Sequence, residues 1–92
     1  MKLASPERLL KNVGRRIAEL RAARGLTQEQ LAEKLDVGVR YIQATEAGRQ
    51  NLTLKTVALF AAELRAPVSA LFEPPSTRAP RPGRPQRIKA ST

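Results

Sequence analysis

The sequence predicts an all-α fold, a compact five-helix unit followed by a disordered basic tail. Three observations carry this expectation. Apolar residues recur every three or four positions between residues 9 and 72, and capping residues punctuate them. No stretch alternates apolar with polar residues as a half-buried strand would. Five of the seven prolines crowd into residues 73–92, where the only large aliphatic side chain is Ile88.

Each element follows in order. Ser5, Pro6 and Glu7 supply an N-cap, a first-turn proline and an early acid, and Leu9, Val13, Ile17 and Leu20 repeat with helical spacing as far as Gly25. This predicts a first helix over residues 6–24. Thr27 with Gln30 forms a capping box, and Leu31, Ala32 and Leu35 give a short second helix its apolar face, ending near Asp36. A third helix, residues 39–47, buries Ile42 and stops at Gly48, a residue type favoured in a left-handed C-terminal cap. Thr53 caps a fourth helix in which Leu54, Val57, Ala58, Phe60, Ala61 and Leu64 are expected to face inward. Pro67 then restarts the chain as a short fifth turn, residues 68–72. The domain is therefore expected to span residues 1–72. The segment 73–92 cannot bury enough surface to offset its ordering entropy and reads as a tail.

Length and composition bound what such a chain can do. Its 92 residues make about one small domain, which must act through a surface. The absence of Cys and His removes disulfides, Cys/His zinc sites, thiol nucleophiles and the commonest general acid/base. With no phosphate-binding glycine loop and no paired carboxylates at a defined spacing, the sequence supports no enzyme, no metal, no cofactor and no small-molecule ligand. The longest apolar run, Val57–Ala62, is too short to cross a bilayer, so the chain reads as soluble and cytoplasmic. Lys and Arg number 17 against 8 Asp and Glu, a net +9 that points to a polyanionic partner, nucleic acid before membrane. A membrane-surface helix needs one basic and one bulky apolar face, which the prolines of the tail prevent. Residues 1–72 hold 12 basic and 7 acidic side chains, and residues 73–92 hold five and one.

The stretch Thr27–Gly48 is the most informative. Two short helices joined by about three residues place Ala32 where they cross, while Val37 and Ile42 are expected to lock the second helix in a helix-turn-helix. Arg15-Arg16-Ile17-Ala18-Glu19-Leu20-Arg21, Gly25-Leu26-Thr27-Gln28-Glu29-Gln30-Leu31-Ala32, Tyr41-Ile42 and Glu46-Ala47-Gly48-Arg49 stand in fixed order over about residues 13–72. In these motifs the chain resembles the lambda-repressor-like helix-turn-helix regulators of the Cro and xenobiotic-response-element type. The resemblance implies a five-helix domain that binds operator DNA as a homodimer. It also implies an ion pair between Arg21 and Glu46. Tyr41-Ile42 and Gly48-Arg49-Gln50-Asn51-Leu52-Thr53-Leu54-Lys55 are further similar to the controller proteins of restriction–modification systems. The chain departs from the pattern at Asp36, where the family usually has glycine and needs φ > 0, at a cost of roughly 1 kcal/mol.

That docking geometry implies a role for each residue. The exposed turns of the third helix would bring Gly38, Val39, Arg40, Gln43 and Ala44 to base edges in the major groove of double-stranded DNA. Arg40 suits guanine O6 and N7, Gln43 suits adenine N6 and N7, and Val39 a thymine methyl. A plain solvated helix face is the competing reading. Gln28, at the start of the second helix, can meet a phosphate or serve only as a cap. Arg49, Gln50 and Asn51 are placed to grip the sugar-phosphate backbone, with Lys55 either assisting or only solubilising the surface. Tyr41 can pack or touch one phosphate. Aromatic residues make up only 3% of the chain, which argues against single-strand or RNA recognition.

In the tail, Gly83-Arg84-Pro85 with flanking Arg81, Arg87 and Lys89 resembles an AT-hook, although Pro82 interrupts the usual core. The alternative is a disordered arm that makes sequence-independent phosphate contacts. Leu59 points away from the apolar stripe of the fourth helix, and with Val68, Leu71 and Phe72 it is expected to form a two-fold dimer patch. An antitoxin with the same DNA-binding domain is a further alternative, in which the tail would fold on a toxin.

Overall fold

Three of the five helices begin where a side chain offers an oxygen to their first free amides. The computed structural model describes residues 5–77. Over that range it contains α1 (Pro6–Ala23), α2 (Gln28–Leu35), α3 (Val39–Glu46), α4 (Leu54–Leu64) and α5 (Val68–Leu71), and no strand. The Ser5 hydroxyl accepts from the Arg8 N–H at 3.1 Å, and that of Thr53 from the Thr56 N–H at 3.0 Å. Thr27 and Gln30 form the expected reciprocal box at 3.0 and 2.8 Å.

Left-handed residues close four of the helices, with Gly25 (φ +70°) following α1. Gly48 (φ +77°) follows α3, and Asp36 (φ +58°) ends α2 while the Val37 N–H reaches back to the Ala32 carbonyl at 3.0 Å. Arg65 (φ +54°) ends α4 in the same way, a position that the sequence does not announce because arginine is no turn residue.

The core gathers Val13 and Ile17 of α1, Leu31 and Ala32 of α2, Ile42 of α3, Val57, Phe60, Ala61 and Leu64 of α4, and Leu71 of α5. Five expectations are corrected. Leu9 lies 44% exposed, because the first turns of α1 run past the edge of the core, which starts at Val13. Leu54 and Ala58 are exposed: at about 100° per residue they fall on the flank of the stripe formed by residues 57, 60, 61 and 64. Val37 is more than a third exposed and contributes its backbone N–H, so Ile42, fully buried, does the locking. Leu71 is fully buried and leaves the expected dimer patch.

The α1–α3 contact is a backbone-to-backbone approach at Gly14. A Cβ at this position would stand 2.2 Å from the Thr45 carbonyl oxygen and 2.9 Å from that of Glu46. After α5 the chain returns to α1. Arg16 donates to the Ala70 carbonyl at 2.8 Å, to Glu19 at 3.0 Å and to Glu73 at 3.4 Å, and Glu19 accepts from Ser76 and Thr77. Attachment to α1 therefore continues past Phe72 as far as Thr77.

Candidate nucleic-acid interface

Helix α3 is anchored from behind and open in front. Ile42 and Thr45 are buried, and the Tyr41 ring stacks on Phe60 with centroids 6.5 Å apart, leaving Tyr41 half-buried. Residues 39, 40, 43, 44 and 47 share the opposite arc of the helix. Within it Arg40 and Gln43 are exposed, Val39 and Ala44 are half-buried, and Gly38 stands exposed as the N-cap. The fold thus presents two long polar side chains, one donor-only and one donor-acceptor, on a rigid ledge.

Glu46 organises the flank of this ledge. Arg21 grips it through two nitrogens, Nε to Oε2 at 2.6 Å and Nη2 to Oε1 at 3.1 Å, and also donates to the Leu26 carbonyl at 2.8 Å. The side chains of Arg21 and Glu46 are 17% and 7% exposed, so this is a largely buried pair joining α1, α3 and the turn before α2. Gln28 donates its amide to the same Oε1 at 2.9 Å. An amide nitrogen carries two hydrogens, so Gln28 keeps one to give while its orientation is fixed. Arg15, Gln28 and Gln43 line a shallow groove beside this cluster.

Beyond α3 the Arg49 N–H turns back to the Ala44 carbonyl at 2.9 Å. Arg49 and Asn51 are exposed and Gln50 is half-buried, and the capped start of α4 follows with Lys55 exposed. Gln28, Tyr41, Arg49, Gln50, Asn51 and Lys55 thus belong to the start of α2, to α3, to the loop that follows α3, or to the first turn of α4. Arg81, Arg84, Arg87 and Lys89, with the hook motif, lie outside the described residues. Sequence reasoning passed over Arg15 and Gly14. A glycine in the middle of a strongly periodic helix was the available signal for the close approach.

Among the described residues no group of three His, Cys, Asp or Glu side chains converges to hold a metal, and no helix is long and apolar enough to cross a membrane.

Comparison with known proteins agrees with this architecture. The immunity repressor protein of Bacillus phage phi105 is 42% identical over 59 residues, 64% of this chain, and the match spans 41% of the repressor's length. The crystal structure of the restriction–modification controller protein C.AhdI from Aeromonas hydrophila superposes with a TM-score of 0.65 at 35% identity, covering 68% of this chain and 96% of that one. The controller protein C.Esp1396I, solved as a tetramer with its natural 35 base-pair operator, matches at 35% identity and a TM-score of 0.63, over 71% of this chain and 86% of that one. The profile described as "Helix-turn-helix" matches residues 17–71, which contain the α2–α3 pair, the Glu46 cluster and the core that supports them. On this architecture and this match, the chain belongs to the Helix-turn-helix family of DNA-binding transcriptional regulators.

Proposed function

We propose that this regulator is a cytoplasmic, non-catalytic, sequence-specific binder of double-stranded DNA that engages operator half-sites as a homodimer with α3 in the major groove. The observation that carries the reading is the α3 ledge, where Arg40 and Gln43 stand exposed on a helix whose other face is packed against Phe60 and the core. Gly38, Val39, Arg40, Gln43 and Ala44 face the bases. Gln28, pre-oriented by Glu46, gives its second amide hydrogen to a phosphate at the N-terminus of α2. Tyr41, Arg49, Gln50, Asn51 and Lys55 hold the backbone on either side. In the tail, Arg81, Arg84, Arg87 and Lys89 add phosphate or minor-groove contacts.

Arg40→Ala tests the assignment. It is expected to lose roughly 1–3 kcal/mol on the preferred duplex, selected from a random pool, while binding to random DNA falls much less. Equal losses on both duplexes make Arg40 a phosphate contact and refute the groove-facing surface. The likeness to C.AhdI over nearly all of its length supports a controller protein as the specific role. A restriction enzyme encoded beside this chain supports that role, and a toxin in its place supports an antitoxin.

A further inference from the structure

We infer that α1 carries a second phosphate-binding strip, Arg8–Lys11–Arg15, which extends the grip of the protein on the same duplex that α3 reads; the inference rests on the function proposed above. The spacing puts the three cations on one face of α1. They line one wall of a surface groove whose other wall is Pro75 and Thr77, held there by the bonds of Thr77 to Glu19; Glu7 is the single acid at its rim. None of the three has an ion-pair partner among the described residues, where the salt bridges use Arg16 and Arg21. The Arg15 Nε is buried without any hydrogen-bond partner.

Position commits the strip to DNA. Arg15 lines both this groove and the one beside α3 that Gln28 and Gln43 share, so the two surfaces are continuous. Lys11 abuts the end of the recognition helix directly: a Cβ on Gly48 would lie 2.6 Å from its Cγ and 2.7 Å from its Cα. Lys11 therefore sits beside Arg49, at the point where the backbone grip begins. A duplex seated on α3 carries about one phosphate charge per 1.7 Å of axis, and a row of unpaired cations flanking it is complementary to that density. The carbonyl end of α3, which α1 approaches at Gly14, favours cations nearby.

The test is a salt titration of the full chain and its Arg8→Gln/Lys11→Gln double variant on two duplexes, the selected site and random DNA. Both residues are exposed, so the fold is retained. The variant is expected to bind both duplexes more weakly. Its slope of log K against log salt should be flatter by about 1.8, so that the wild-type advantage shrinks about tenfold from 50 to 200 mM salt. Lys11→Arg should keep the wild-type slope. A double variant that matches wild type on both duplexes, while Arg40→Ala still loses the selected site, overturns the strip and leaves the proposed function standing. Absence of salt-dependent duplex binding by the wild-type chain itself overturns both.

Discussion

Glu46 ties the end of α3 to two other helices through one side chain. It accepts two bonds from Arg21 and one from Gln28, so three segments converge on a carboxylate that is nearly out of water. Removing it leaves the Arg21 guanidinium part-buried and uncompensated, which costs more than the pair itself contributes. Glu46→Ala is expected to destabilise the fold by about 3 kcal/mol in urea denaturation. A loss under about 1 kcal/mol would place the pair with exposed surface pairs instead. Asp36 and Arg65 make the complementary point about the backbone. Both hold φ near +55° without being glycine, and only at Asp36 does the residue type give notice of it.

At the scale of elements, the α1–α3 crossing and the return of residues 73–77 set the frame of the interface. Gly14 allows α1 to lie on the final carbonyls of α3, and those carbonyls are backbone atoms that cannot rotate away. Gly14→Ala gains about 1 kcal/mol in helix propensity. It meets an overpacking penalty of roughly 1–3 kcal/mol, occasionally more, and the 2.2 Å approach puts it at the upper end. A net loss of about 2 kcal/mol is expected in thermal or urea melts, and a variant at least as stable as wild type would refute the close crossing. The return segment depends on Glu19. Burial raises its carboxyl pKa, but bonds from Thr77, Arg16 and Ser76 outweigh that and hold it down to about 2 from an ordinary 4.5. The folded value is depressed, so the ionised carboxylate stabilises the fold above pH 4.5, and this contribution is lost as pH falls from 4.5 towards 2. Glu19→Gln should be less stable than wild type at neutral pH, with the gap closing over that window. A gap independent of pH would mean that the carboxylate charge plays no part.

For the whole molecule, one short recognition helix reads about half a site, so specificity across a genome calls for two copies. Leu59, Val68 and Phe72 are 52%, 43% and 45% exposed on α4 and at the two ends of α5, the exposed apolar side chains on which the proposed dimer rests. Leu59 also borders a small hollow with Leu35, Val37 and Tyr41, so the surface around it can receive a side chain as well as offer one. Leu59→Lys removes apolar surface without touching the core. Sedimentation velocity is expected to find the wild-type chain dimeric and this variant shifted to monomer, with weaker operator binding. A variant that remains dimeric would move the interface elsewhere.

The sequence by itself determined the number, order and starts of the helices, because caps at Ser5, Thr27 and Thr53 and the apolar spacing of Val13, Ile17, Leu31, Ile42 and Phe60 are local signals read within one or two turns. The helix-turn-helix was legible too, and the left-handed bend at Asp36 followed from the family resemblance. Which apolar residues are left outside depended on where each helix meets its neighbours. Leu9 and Leu54 satisfy the helical pattern yet lie exposed, as does Val37 in the turn between α2 and α3, while Leu71, drawn from a one-turn helix with almost no pattern, is fully enclosed. The bond from Gln28 to Glu46, the backbone crossing at Gly14 and the packing of Lys11 against Gly48 were decided by tertiary structure alone. They join groups far apart along the chain, and periodicity within one helix carries no information about which carbonyl, carboxylate or cation another helix will bring to it.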